Sequence, residues 1–133
     1  MKSRTHLKSN PKYMGTPVLI EDGVRSVVEL TAVEDMAVDE RGLIHGGFTF
    51  GLADYAAMLA VNDPNVVLGS ADVRFTAPVR VGEKMRAEAR VEGVEGKRRD
   101  VSVEVDVEGL PVLRGRMTCF VLGRHVLDPA KTS

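Results

Sequence analysis

Residues 48–61 read FTFGLADYAAMLAV, and Asn62-Asp63-Pro64 stops the run. Phe48, Leu52, Tyr55, Ala56 and Leu59 fall at helical spacing. Apolar residues occupy almost every side of this predicted helix, so it must be buried nearly all round rather than lie on a surface. Its small residues, among them Gly51, Ala53, Ala56, Ala57 and Ala60, let a sheet approach closely.

The flanking sequence supplies that sheet. Val24, Val28 and Leu30 against Arg25, Glu29 and Thr31 suggest an imperfectly alternating strand over 24–33, followed by an acidic loop with Glu34, Asp35, Asp39 and Glu40. After Pro64 everything reads as strand. One apolar series runs through Val67, Ala71, Val73, Phe75, Ala77 and Val79. Met85, Ala87, Ala89 and Val91 alternate with charged residues, and Val101, Val103, Val105 and Val107 alternate with Ser102, Glu104, Asp106 and Glu108. Residues 112–122 form a last, less regular strand. Turn residues separate them at 79–82, 93–96 and 109–111. Strict alternation is the habit of antiparallel sheets with one wet face. With one helix to cover the dry face, the expected architecture is α+β: a curled antiparallel sheet of about five strands wrapped around one central helix.

Composition agrees with a single soluble domain. The chain has 133 residues, 44% of them apolar and 28% charged. Residues 17–124 are expected to form the domain, 1–16 a loosely held basic arm, and 125–133 a C-terminal tail. Lys plus Arg number 18 and Asp plus Glu 19, a net charge of −1 that argues against a nucleic-acid binder. One cysteine, Cys119, excludes an internal disulfide and a Cys-only metal cluster. No apolar run reaches the roughly 18 residues of a membrane span. The basic start has no apolar segment behind it, so no secretion signal is read and a cytoplasmic setting is expected.

Asp54 is the only charged residue between Phe48 and Val61. A buried carboxylate without partners costs several kcal/mol and tends to take up a proton. It either bonds a donor on a neighbouring strand or marks an active site, where such carboxylates cluster. His45-Gly46-Gly47 precedes the helix. Free N–H groups at a helix start favour negative charge, and glycines leave that end open to a carbonyl oxygen becoming negative; equally, they ease a tight entry into the helix. Gly46 and Asp54 lie eight residues apart, about 12 Å along one helix, so one copy cannot bring both to the same carbonyl. Two antiparallel copies can, which makes a shared site at least dimeric.

The pattern Asp39-x2-Gly42-x2-His45-Gly46-Gly47-x6-Asp54, followed by Arg74-Phe75-x2-Pro78-Val79-Arg80-x-Gly82, resembles the hotdog-fold acyl-CoA thioesterases. Within them it is most similar to the phenylacetate-degradation group, over residues 24–122. The resemblance implies that Asp54 attacks the thioester carbonyl or activates water against it. It implies that the Gly46 N–H polarises that carbonyl from the other subunit, and that His45 supports the thioester or holds the loop. Asp39 stands where the family often has Asn or Gln holding water or substrate. Met58 stands where many relatives have a water-positioning Ser or Thr. Gly47, Phe48 and Met58 are expected to meet the acyl substrate, with Phe50, Tyr55 and Leu59 as further candidates. Arg74, Arg80 and the run Lys97-Arg98-Arg99 are candidates for the coenzyme A phosphates, although each also suits an outward strand position.

Cys119, His6 and His125 receive only structural readings, and no metal site or other cofactor is expected. The expected function is acyl-CoA thioester hydrolysis, in a homodimer at least and by family habit a homotetramer. A hotdog protein that binds acyl-CoA without turning it over is the alternative. A purely structural role and a hotdog dehydratase rank below.

Overall fold

The computed structural model describes residues 1–129; the end of the expected tail, 130–133, lies outside the described residues. The chain forms a helical turn α1 (Pro11–Met14), strands β1 (Thr16–Glu21) and β2 (Arg25–Thr31), and a 3-10 turn at Glu34–Met36. Helix α2 (Gly46–Val61) follows, then β3 (Val66–Phe75), β4 (Lys84–Glu95), β5 (Arg98–Val107) and β6 (Leu110–Val121). The strands make one antiparallel sheet in the order β1-β2-β4-β5-β6-β3, with α2 against its concave face. This is the hotdog architecture. It has six strands rather than about five, because residues 16–21 pair with β2 as a hairpin whose apolar periodicity is too weak to read.

Burial follows the alternation. Met85, Ala87 and Ala89 on β4 and Val101, Val103, Val105 and Val107 on β5 all face the core. Every α2 residue from Tyr55 to Val61 is buried. The alanines do what their size allows: Ala53, Ala56, Ala57 and Ala60 are fully covered by sheet backbone and side chains. Ser26 on β2 locks the two layers, its hydroxyl donating to the Ala56 carbonyl at 2.6 Å. Glu108 and Gly109, both at positive φ, make the two-residue turn between β5 and β6. Gly115 on β6 lies where β3 crosses closest: an added Cβ would fall 2.2 Å from the Asp72 carbonyl oxygen.

The first residues are held, not loose. Asn62, in the left-handed conformation that ends α2, is 1% exposed. Its Oδ1 accepts the Arg4 N–H at 2.8 Å, while its Nδ2 donates to the Lys2 carbonyl and to Asp22 Oδ1. Thr5 is thereby buried against the helix. A second departure concerns β3. Its apolar series should face the core, yet Ala71 and Phe75 are exposed and Val67 and Val73 only half-buried. It is an edge strand paired only with β6, far in the sheet from β2 and β4, on which the helix packs most.

Candidate active site

Asp54 sits on the inner turn of α2 and lines a cavity of about 420 Å³ with Met58, Thr5, His6, Leu68 and His125. Its Oδ1 is buried and has no hydrogen-bond partner among the described residues. Desolvation raises its pKa from 3.8 to about 6. The reading in which a neighbouring strand supplies a donor to that oxygen therefore fails. Such an oxygen costs about 1–3 kcal/mol. A group kept at that cost, ionising close to neutral pH and facing a cavity, suits proton transfer or nucleophilic attack. Met58 lies one turn further along the helix on the same cavity, almost fully buried, and offers no hydroxyl to hold water.

The helix start opens elsewhere. His45 is the N-cap, its Nδ1 accepting the Gly47 N–H at 2.7 Å. That bond leaves Gly47 without a free donor and gives His45 a loop-holding role. The Gly46 N–H, first of the helix, has no acceptor among the described residues. Gly46 lines a separate cavity with Phe75, Ala77 and Pro78, and an added Cβ would stand 3.2 Å from the Phe75 ring. Phe48 is half-buried between His45, edge-on at 6.4 Å between ring centroids, and Tyr13 at 6.0 Å. Within one chain, then, Gly46 and Asp54 do not meet, in keeping with their spacing on the helix.

Asp39 is also apart. Its Oδ1 accepts the N–H groups of Arg41 at 2.9 Å and Leu43 at 3.2 Å, which closes the loop before the helix. It borders a shallow cavity of about 200 Å³ with Arg80 and Pro78, not the one that holds Asp54. The cations divide similarly. Arg74 is exposed on β3. Arg98 pairs with Glu95 and Asp100, and Arg99 donates to the Gly96 and Arg98 carbonyls. Lys97 lines a cavity of about 360 Å³ with Arg124 and His125.

The terminal segments are what the sequence reading missed. Thr5, His6, His125 and Val126 wall the Asp54 cavity, although nothing in their spacing connects them to it. His6 packs 6.2 Å from the Tyr55 ring and accepts or donates to Thr5 Oγ1 at 2.8 Å; burial lowers its pKa. Cys119 is fully buried, and burial with the nearby Asp54 charge pushes its thiol up to about 12, so it is inert packing. Among the described residues no three His, Cys, Asp or Glu side chains are placed to share a metal ion. Among the described residues no helix is long and apolar enough to cross a membrane.

Comparison with known proteins fits this geometry. A solved structure of an uncharacterized protein, PH1136 from Pyrococcus horikoshii, is 53% identical, covering 96% of this chain and 98% of that one, with a TM-score of 0.94. An Asn-to-Asp variant of phenylacetic acid degradation protein PaaI from Thermus thermophilus is 29% identical over 84% of this chain and 97% of that one, with a TM-score of 0.75. Among curated proteins, a methylthioribose-1-phosphate isomerase of Aquifex aeolicus is 49% identical over 104 residues, 78% of this chain but 23% of that protein. Transcription factor FapR of Caldanaerobacter subterraneus is 26% identical over 87% of this chain and 58% of its own length. The chain thus spans from just under a quarter to somewhat over half of these curated relatives. The MaoC-like domain model matches residues 36–110, the stretch that carries the loop of Asp39, the whole of α2 and strands β3 to β5. With more than half its length under that model and its sheet curled around one buried helix, the chain belongs to the MaoC-like domain family of hotdog proteins.

Proposed function

We propose that the protein hydrolyses acyl-CoA thioesters, with Asp54 as general base. The observation that carries this reading is the partnerless, buried Asp54 oxygen facing a cavity with an ionisation near pH 6. Asp54 takes a proton from water as the water oxygen attacks the thioester carbonyl. The resulting oxyanion needs a donor, and the C–S bond then breaks to release the carboxylic acid and the thiol, which recovers the proton. The motif's resemblance to the phenylacetate-degradation thioesterases supports hydrolysis, and a phenylacetic acid degradation protein, PaaI, is 29% identical.

The donor is the Gly46 N–H of a second copy. The unpaired β3 edge, with Phe75 54% exposed beside Gly46, offers the surface on which that copy pairs. Side-by-side antiparallel helices would then set each Gly46 against the other chain's Asp54 and produce two identical sites. A homodimer is therefore the minimum, and two dimers make the tetramer that the family resemblance implies. No metal or redox cofactor enters the reaction.

Thiol release from aryl, short and long acyl-CoAs by the wild type and by Asp54→Asn tests the proposal. Turnover that vanishes in the variant is the expected result; no turnover with any substrate overturns it. Hydrolysis in ¹⁸O-water under single-turnover conditions leaves Asp54 unlabelled if it is a base. Label in its carboxylate would instead mean that Asp54 is the nucleophile. A second reading, acyl-CoA binding without hydrolysis, is favoured by Met58 on the cavity wall, which offers no hydroxyl to hold water. Coenzyme A that stabilises the fold without thiol release would select it.

A further inference from the structure

Residues 4–9 are tied down at both ends beside the Asp54 cavity. At one end Asn62, which closes α2, accepts the Arg4 N–H at 2.8 Å and donates to the Lys2 carbonyl at 2.9 Å. At the other, Ser9 donates its N–H and its hydroxyl to the His6 carbonyl, at 3.2 and 2.8 Å. Between these holds His6 adopts a φ of 55°, in the left-handed region that few residues other than glycine occupy. The ring is fixed as well. Thr5 is buried, and the only hydrogen-bond partner of its hydroxyl among the described residues is His6 Nδ1 at 2.8 Å, so the hydroxyl donates to that nitrogen. The imidazole centroid lies 6.2 Å from that of Tyr55, the residue after Asp54. Backbone strain persists where the surroundings over-determine it. Here it sets Thr5 and His6 into the wall of the cavity of about 420 Å³ onto which Asp54 opens. Met58, Val66, Val67 and Leu68 give that cavity an apolar lining, and no Lys or Arg among the described residues borders it. Burial favours the uncharged form of the His6 ring.

We propose that His6 is a specificity-determining residue: with Thr5 it closes the acyl end of the cavity and restricts the site to uncharged acyl groups of limited length. The inference rests on the hydrolase reading of Asp54 and deepens it. With the thioester carbonyl at Asp54, the apolar lining suits the acyl arm, which runs along it and stops at the imidazole. A longer chain must displace a ring held by Thr5 and a backbone held by Asn62 and Ser9. An acyl group with its own carboxylate would share the cavity with Asp54 and find no Lys or Arg to offset the second charge.

His6→Gly tests it, because glycine takes a φ of 55° without strain and removes the ring. kcat/KM is measured for straight-chain acyl-CoAs from butanoyl to hexadecanoyl, with succinyl-CoA as the charged counterpart of butanoyl-CoA. In the wild type kcat/KM should drop about tenfold or more beyond a limiting length. His6→Gly should move that limit to longer chains and raise the ratio of long-chain to butanoyl kcat/KM about tenfold, and His6→Phe, which refills the space with a ring, should restore it. The wild type should also prefer butanoyl to succinyl about tenfold or more. A wild type without a limiting length, a limit that His6→Gly leaves in place or His6→Phe fails to restore, or equal hydrolysis of the succinyl and butanoyl esters overturns the proposal. If the wild type hydrolyses none of the esters, the hydrolase reading falls and calorimetric titration with the same series decides the wall alone. A limiting length for binding that moves in His6→Gly supports it; one that stays, or no binding at all, overturns it.

Discussion

Asp39 and Asp54 carry the same side chain, fifteen positions apart, and the loop around one treats it in the opposite way to the helix around the other. Asp39 faces solvent and accepts two backbone N–H groups, so its charge is spent on closing a turn. Asp54 is half-buried on α2 at the wall of a cavity, and its buried Oδ1 receives nothing among the described residues. The difference shows how structure sorts like residues. A carboxylate supplied with donors becomes part of the scaffold. One deprived of them is held at a cost that the surrounding apolar core must offset. Within one chain the two carboxylates border different cavities.

The largest effect expected from breaking this contrast is on turnover. Asp54→Asn keeps the shape and removes the base, so kcat should fall by about 10² to 10⁴-fold while the melting curve stays cooperative; thiol release and circular dichroism read the two. A small loss of activity with a large loss of stability would make Asp54 a second Asp39.

Next in size is Asn62, the polar group at the end of the same helix, which is fully partnered where Asp54 is not. Asn62→Ala deletes three hydrogen bonds that tie Lys2, Arg4 and Asp22 to the helix, and urea unfolding should show a loss of about 3 kcal/mol. Because the freed segment includes a wall of the Asp54 cavity, KM should change along with stability.

The third test uses pH. The Asp54 pKa is about 6 in the folded chain and near 3.8 unfolded. Below pH 4 both states are protonated and burial carries no charge penalty. Between pH 4 and 6 the unfolded state ionises first, so this group's contribution to stability falls as pH rises, by at most about 3 kcal/mol, and is level above 6. Denaturant melts of the wild type and Asp54→Asn should therefore diverge across that window, with the variant gaining relative stability at the higher pH. Turnover should move the other way, rising through pH 6 as the base ionises. A wild type whose difference from the variant is the same at both ends would mean that Asp54 finds a partner in solution.

Asp39→Ala should do least: about 1 kcal/mol of stability from the opened turn, and a loss of turnover well short of that in Asp54→Asn. Equal losses in the two variants would erase the distinction between the residues.

Much of this was legible before any coordinates. The buried helix, its stop at Asn62, the valine alternation of β5 and the anomaly of Asp54 all follow from local period and composition. Strand β1 was not, because Pro17 and the bulge after it blur its alternation. The exposed apolar side of β3 was misread for a different reason. Period tells which residues share a face, but not whether anything covers it.

The site divides along the same line. Helical spacing alone already separated Gly46 from Asp54 within one chain, since rise per residue is a property of the backbone. Chain folding decided that Asp39 closes a turn, that Lys97 parts from Arg98 and Arg99, and that His6 and His125 reach the Asp54 cavity. Those outcomes depend on contacts between distant segments, such as Arg4 with Asn62 across 58 residues. Local pattern carries no information about such meetings, because they are set by the sheet's curl and the space it leaves.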